Sequence, residues 1–184
     1  MTSDKLITSG ERLHGLEITI GTRHDDERGS FTEMFCKEWG LGIEPTQWSI
    51  VESGARVLRG MHLHKRHDEY IAIVRGRACV GLYDARPDSP TFKKSCLIDL
   101  DDTQRVFVTF PSRLIHGWYF YTPTIHLQAV SESYVSYGKD DNIRCSWVDP
   151  DLNIDWPDHE PVLSDLAEGA GTVKDIISLM SDNS

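Results

Sequence analysis

Four side chains in this chain have the types and the spacing to hold one metal ion. Residues 60 to 76 read Gly-Met-His-Leu-His-Lys-Arg-His-Asp-Glu-Tyr-Ile-Ala-Ile-Val-Arg-Gly, which sets His62, His64 and Glu69 at the spacing of a metal-binding β-barrel. Side chains alternate faces along a strand, so His62 and His64 point the same way, close enough to share an ion. Glu69 must then come from the next strand, after a polar turn through Lys65, Arg66, His67 and Asp68 in which His67 is read as a turn residue. A fourth ligand follows in Pro111-Ser112-Arg113-Leu114-Ile115-His116, where a turn-setting proline precedes an apolar pair and a histidine. Three imidazoles and a carboxylate suit a single Fe, Mn, Ni, Cu or Zn ion, and the ligand list does not choose between them. A lone histidine in a barrel is more often a hydrogen-bonded core residue, and His14, His24, His126 and His159 have no partner spacing.

The elements that must position these groups are short β-rich runs between turn signals. They are Leu16 to Ile20, Trp48 to Val51, Tyr70 to Val74, Cys79 to Tyr83, Cys96 to Leu100, Val106 to Phe110 and Ile125 to Val130. Many short strands with almost no helical periodicity predict an all-β antiparallel sandwich or barrel, a class that includes jelly rolls. The exception is the C-terminus. Thr172 with Asp175 reads as a capping box, and Val173, Ile176, Ile177 and Met180 recur at helical spacing, so a short amphipathic helix is predicted over 172–181, packed on the barrel or on a partner subunit. The stretch from Asp149 to Pro161, with three prolines and Trp156, is expected to be an ordered crossing. One domain over residues 1–184, with its core at about 13–165, fits the length.

A formal net charge of -10 argues against nucleic-acid binding as the main activity, because such binders need a basic face. The positive residues are nonetheless concentrated: Arg56, Arg59, Lys65, Arg66, Arg75 and Arg77 bracket the histidine segment. They form either a basic pocket for a small anionic ligand or a solvated barrel rim. No stretch approaches the length of a membrane span and no signal segment is legible, so a cytoplasmic protein that does not contact membrane is expected. Cys36, Cys79, Cys96 and Cys145 are widely spaced without a CxxC pair, and a disulfide framework is not expected. Nothing in the sequence calls for an organic cofactor.

Five ordered segments carry a resemblance to a known family. Asp26-Glu27-Arg28-Gly29-Ser30-Phe31-Thr32-Glu33, Val57-Leu58-Arg59-Gly60-Met61-His62, Ser89-Pro90-Thr91-Phe92, His116-Gly117-Trp118 and Ile154-Asp155-Trp156-Pro157 resemble, in order, the signature segments of dTDP-4-dehydrorhamnose 3,5-epimerases. The resemblance implies a jelly-roll cupin, usually a homodimer, that binds a dTDP-linked 4-keto-6-deoxy sugar and inverts carbons flanking the ketone. It implies His62 as the base that removes a proton α to the ketone. It also implies nucleotide contacts at Arg28, Phe31, Glu33, Gln47, Ser49 and Arg59, with Tyr134 as a platform for the nucleobase. Arg28 and Glu33 could equally form an ion pair within the sheet.

The chain departs from that family where rate is decided. Counting forward from His116 without a gap, the family's catalytic tyrosine falls at Ala129. The lysine expected to steady the enolate falls near Glu69, and the aspartate that orients the base falls near Ala167, with Asp165 or Glu168 as replacements. Tyr119 and Tyr121 are the nearest substitute acids to His116. Where the family commonly has His-x-Gln this chain has His62-x-His64, and the lost lysine has become Glu69, so both changes complete a metal set; a dication would itself stabilise an enolate. Three readings follow: a sugar-nucleotide epimerase or isomerase, metal-assisted; a metal-dependent cupin of another class, such as an oxygenase or lyase; and a non-catalytic sugar-nucleotide-binding dimer.

Overall fold

Strands with one apolar face must bury it, and two such sheets packed face to face bury both. The computed structural model describes residues 3–138, 141–168 and 170–181. One antiparallel sheet has the order β1 (Ile7–Gly10), β9 (Ser95–Asp101), β8 (Arg77–Asp84), β11 (Leu114–Phe120), β6 (Leu58–Leu63) and β13 (Ile143–Arg144). The other runs β2 (Glu17–Ile20), β10 (Val106–Phe110), β7 (Glu69–Arg75), β12 (Thr124–Val130) and β5 (Gln47–Ser53). A hairpin of β3 (Arg23–Asp26) and β4 (Gly29–Thr32) forms a separate two-stranded sheet. The result is an all-β jelly roll, as the spacing of the apolar runs predicts. No helix among the described residues is long and apolar enough to cross a membrane.

Alternation along each strand divides the apolar residues into three clusters. Between the sheets lie Ile71 and Ile73 of β7, Val80 and Leu82 of β8, Ile98 and Leu100 of β9, Val106, Val108 and Phe110 of β10, and Leu114, Trp118 and Phe120 of β11. The outer face of the first sheet carries Leu58, Cys79, Tyr83, Ile115 and Tyr119, covered by Trp156 and by the C-terminal helix. The outer face of the second carries Tyr70, Ala72, Phe107 and Ala129 under Leu41 and Ile43. The proline-rich crossing is ordered by Trp156, which is buried over Gly81: a Cβ at Gly81 would stand 2.6 Å from the indole.

Two four-residue helices, α1 (Tyr134–Tyr137) and α2 (Asp165–Glu168), precede α3 (Val173–Ser181). Helix α3 begins where the capping box predicts. The Thr172 N–H donates to Asp175 Oδ2 at 2.9 Å, and the Asp175 N–H returns a bond to Thr172 Oγ1 at 3.2 Å. Its buried Val173, Ile176 and Met180 pack into the outer-face cluster of the chain's own barrel.

Asp84, at the end of β8, is fully buried. It accepts hydrogen bonds from Arg86 Nε and Nη2, Ser89 Oγ and Thr91 Oγ1. Burial alone would raise its pKa, but these donors outweigh it and lower the pKa from the ordinary carboxylate value. A carboxyl whose folded pKa is depressed stabilises the fold above its unfolded pKa of about 4, and that contribution is lost as pH falls through the folded value. Asp84→Asn is therefore expected to cost about 3 kcal/mol near pH 7, where it leaves Arg86 without its counter-charge. Urea midpoints of the two proteins should converge as the pH drops below 4; a gap that stays constant with pH would contradict the assignment.

Candidate functional site

A cavity of about 530 Å³ opens between the sheets beside β6, β7, β11 and β12. Its first wall is shaped by a bulge. His116 pairs with His62 and Trp118 with Arg59, so β6 spends three residue steps where β11 spends two. Strict alternation would send Arg59 and His62 to opposite faces, yet both line the cavity. The extra residue is accommodated at Gly60, which has φ +133° and lies so close to β11 that a Cβ would stand 2.5 Å from Gly117 Cα.

Glu69, the first residue of β7, points inward and is 1% exposed. Its Oε1 lies 3.2 Å from His64 Nε2, 3.5 Å from His116 Nε2 and 3.7 Å from His67 Nε2. Oε2 accepts a bond from Gln128 Nε2 at 2.8 Å, whereas Oε1 has no hydrogen-bond partner. Each ring is fixed through its other nitrogen. His64 Nδ1 lies 2.8 Å from the Asp141 carbonyl oxygen, His116 Nδ1 3.1 Å from the Leu114 carbonyl oxygen, and His67 Nδ1 3.1 Å from Asp141 Oδ2. A carbonyl oxygen only accepts, so His64 and His116 carry a proton on Nδ1 and turn Nε2 toward Glu69. Burial opposes charge on Glu69, but His116, His64 and His67 around it hold its pKa well below the usual carboxylate value. Burial holds the His116 pKa down at about 4, against the pull of Glu69.

The ring that joins His64 and His116 at Glu69 is His67, not His62. His67 is not a surface turn residue: it is 1% exposed, stacked between His64 at 4.1 Å and Tyr137 at 4.3 Å between ring centroids. The turn folds inward because Asp141 pins it, its Oδ1 accepting from the Lys65 N–H at 2.8 Å and its Oδ2 from the Arg66 N–H at 3.3 Å. His62 sits apart from the Glu69 group. Its ring centroid is 6.1 Å from that of His116 and 6.4 Å from that of His64, and no group among the described residues hydrogen-bonds it. Burial, reinforced by His116, His64 and Arg144, pushes its pKa down to about 3 and keeps the imidazole neutral.

Tyr119 and Tyr121 do not reach the cavity. They lie three and five residues beyond the inward-facing His116, and an odd interval on a strand puts a side chain on the opposite face. Tyr119 donates its phenol proton to Asp158 Oδ2 at 3.1 Å on the outer surface, and Tyr121 packs edge-on against it under the Arg77 guanidinium. Ala129 also faces outward, into the cluster with Tyr70 and Phe107, so the gapless count that lands on it misses the inner face; the side chain entering the cavity beside it is Gln128. Asp165 is exposed and does not line the cavity, which at that edge is bounded by Ser164, Leu166 and Ala167. The Glu168 side chain lies outside the described residues.

Of the basic residues that bracket the histidines, only Arg59 lines the cavity; Arg56, Arg66 and Arg77 pair on the surface with Asp158, Glu132 and Asp99. The second cavity arginine is Arg144, paired opposite His62 from β13. Gln47 and Ser49 continue the inner face of β5 beyond the cavity-lining Val51, and Gln47 Oε1 accepts from the N–H of half-exposed Tyr134. Arg28 and Phe31 sit on the β3–β4 hairpin and Glu33 just after it, all exposed and none lining the cavity of their own chain. Arg28 pairs with Asp26 rather than with Glu33.

Sequence reasoning missed His67, His126, Gln128, Tyr137, Asp141 and Arg144. His126 and Gln128 carried a usable signal, since both sit at even steps from Val130 on a predicted strand. His126 lines the cavity stacked on Trp118 and Phe120, and burial with Arg59 nearby pushes its pKa down to about 4. Tyr137 and Arg144 come from segments with no strand pattern.

A family model described as dTDP-4-dehydrorhamnose 3,5-epimerase matches residues 11–175. The chain is 31% identical over 150 residues to a dTDP-4-dehydrorhamnose 3,5-epimerase of Streptomyces griseus, covering 76% of this chain and 73% of that protein. It is 26% identical over 146 residues to the spore coat polysaccharide biosynthesis protein SpsL of Bacillus subtilis, covering 78% of this chain and 96% of the relative. Among solved structures it is similar to the 3'-monoepimerase ChmJ of Streptomyces bikiniensis in complex with dTDP-quinovose, with a TM-score of 0.82 and 26% identity over 91% of this chain and 88% of that one.

Proposed function

This chain belongs to the dTDP-4-dehydrorhamnose 3,5-epimerase family, isomerase-class carbohydrate epimerases, and from that premise we propose that it inverts a carbon next to the ketone of a nucleotide-linked 4-keto-6-deoxy sugar. The observation that carries the reading is His62: a neutral imidazole with no hydrogen-bond partner among the described residues, in the cavity wall between Arg59 and Arg144. A proton α to a ketone is removed when a base faces the carbon and a cation meets the charge that develops on the oxygen. His62 takes the proton. Glu69 stands where the resemblance expects a lysine, so the cavity arginines Arg59 and Arg144 meet the enolate charge, and a divalent cation, were one held at Glu69, would supply the same electrostatic stabilisation.

The proton must return from the opposite face. Tyr137 is the one tyrosine among the cavity-lining residues, and burial with Glu69 nearby raises its pKa, which keeps the phenol protonated and able to donate. Gln47, Ser49 and Tyr134 are suited to the nucleotide. Arg28, Phe31 and Glu33 reach a nucleotide only if the hairpin enters another copy's cavity, which makes the working unit a homodimer. Phe31 is 62% exposed, and the edge strand β5 presents Trp48 and Ile50 at 42% and 70% exposure, an apolar border that pairing of two copies would cover. The buried thiols of Cys79, Cys96 and Cys145 suit a reducing, cytoplasmic setting.

The test is calorimetric binding of dTDP followed by NMR of a dTDP-linked 4-keto-6-deoxy sugar incubated with the enzyme in D2O. Deuterium should enter next to the ketone, inversion should follow, and Tyr137→Phe should exchange without inverting. Sedimentation of the same sample should give a dimer. Binding of dTDP without exchange into any 4-keto sugar would remove the epimerase reading. The Glu69 cluster favours as second reading a metal-dependent cupin oxygenase or lyase, for which metal-dependent O2 uptake or bond cleavage would be the positive result.

A further inference from the structure

The Glu69 cluster is built around a missing positive charge. Oε1 of Glu69 is buried and has no hydrogen-bond donor, although three imidazole nitrogens stand 3.2, 3.5 and 3.7 Å away. His64 and His116 give their Nδ1 protons to main-chain carbonyls, so in their neutral form each Nε2 directs a lone pair at that oxygen. Lone pairs gathered on one point repel unless a proton on one of the rings or a metal cation lies among them, and a single proton can serve only one of the three contacts. Ligand atoms about 2.1 Å from a shared ion, at ordinary coordination angles, stand roughly 3.0–3.4 Å apart, and the His64 and His67 nitrogens stand 3.2 and 3.7 Å from Glu69 Oε1, at that separation or a few tenths of an ångström beyond it. The ligand atoms of His64, His67 and Glu69 all lie within 4.8 Å of one another.

The surroundings are those a metal site requires. Each ring's outer nitrogen bonds a carbonyl or carboxylate oxygen, which sets the tautomer and the ring's orientation, and Gln128 fixes the second Glu69 oxygen. Asp141 serves two of the rings, through its carbonyl to His64 and through its carboxylate to His67. We propose that His64, His67 and Glu69 bind one first-row divalent cation, with His116 at the edge of the group and His62 outside it. All three residues line the cavity, so a bound ion faces the space where substrate enters. The two sets of groups then divide the work, one holding charge and the other, His62, moving a proton.

The assignment does not depend on the sugar reading, because it is tested without substrate. Protein purified without affinity nickel is stripped with chelator, reloaded separately with Zn²⁺, Mn²⁺ and Co²⁺, desalted and analysed for metal, beside His62→Asn and His67→Gln. Wild type and His62→Asn should each retain about one ion per chain for at least one of these metals, and His67→Gln should bind at least tenfold more weakly. Co²⁺-loaded protein should show the visible absorption of a nitrogen-rich site, and His67→Gln should lose it. His62 makes no hydrogen bond among the described residues, so His62→Asn keeps the test decisive even if His67→Gln does not fold. Wild type that retains none of the three ions would overturn the proposal, and so would loss of the ion in folded His62→Asn.

Discussion

His62→Asn is expected to lower epimerisation, and deuterium exchange next to the ketone, by about 10²- to 10⁴-fold, the usual contribution of a positioned general base. Dissociation of dTDP should be unchanged, because the nucleotide contacts lie elsewhere. The size of the effect follows from the ring's setting. Two cavity imidazoles stand outside the Glu69 group, His62 and His126, and His126 is buried and stacked on Trp118 and Phe120, which leaves His62 as the ring free to meet a substrate proton. Asparagine can still fill the volume but cannot accept a proton at neutral pH. Tyr119→Phe is the matched control: its hydroxyl bonds Asp158 on the outer surface, and the rate should not change. If Tyr119→Phe slowed exchange as much as His62→Asn, the inward and outward assignment of β11 would be wrong.

Gly60→Ala should be the most damaging single methyl addition near the site. The new Cβ would sit 2.5 Å from Gly117 Cα and 2.9 Å from the His116 carbonyl oxygen, both backbone atoms that cannot rotate away. It would also force a side chain onto φ +133°. Overpacking of this kind costs about 1–3 kcal/mol, and a backbone conformation reserved for glycine about 1–3 kcal/mol more. A loss of roughly 3–5 kcal/mol corresponds to a fall in Tm on the order of 10 °C for a chain of this size. Relaxation by separating β6 from β11 would undo the His62–His116 register, so activity should drop even in molecules that remain folded. Differential scanning calorimetry with an exchange assay reads both quantities. A variant with unchanged Tm and rate would mean that the bulge is not held as described.

Seven apolar runs identified β2, β5, β7, β8, β9, β10 and β12, with ends moved by a residue or two, because one or both faces of each strand are buried. Of the strands outside those runs, β6 and β11 carry a glycine and a histidine within their apolar residues, and the others are short or polar. Arg23–Asp26 of β3 is exposed throughout, and Ile143–Arg144 of β13 is too short to show a period. Their formation depends on a partner strand rather than on a pattern of their own.

The same distinction divides the site. Residue types and spacing pointed to His64, Glu69 and His116 as one group, and the packing of the two sheets face to face brings them together. Once β11 is known as a strand, parity along it turns Tyr119 and Tyr121 outward, and parity along β12 favours Gln128 over Ala129. What only the tertiary structure decided is which imidazole stands at Glu69. His67 enters because Asp141, over 70 residues away in sequence, binds the Lys65 and Arg66 amides and draws the turn inward. Arg59 lines the same cavity as His62 because a bulge shifts β6 by one residue, and Arg144 comes beside His62 because β13 pairs along the edge of β6. Strand periodicity is a local property that a sequence displays, whereas these choices rest on hydrogen bonds between segments remote in sequence, which no local pattern records.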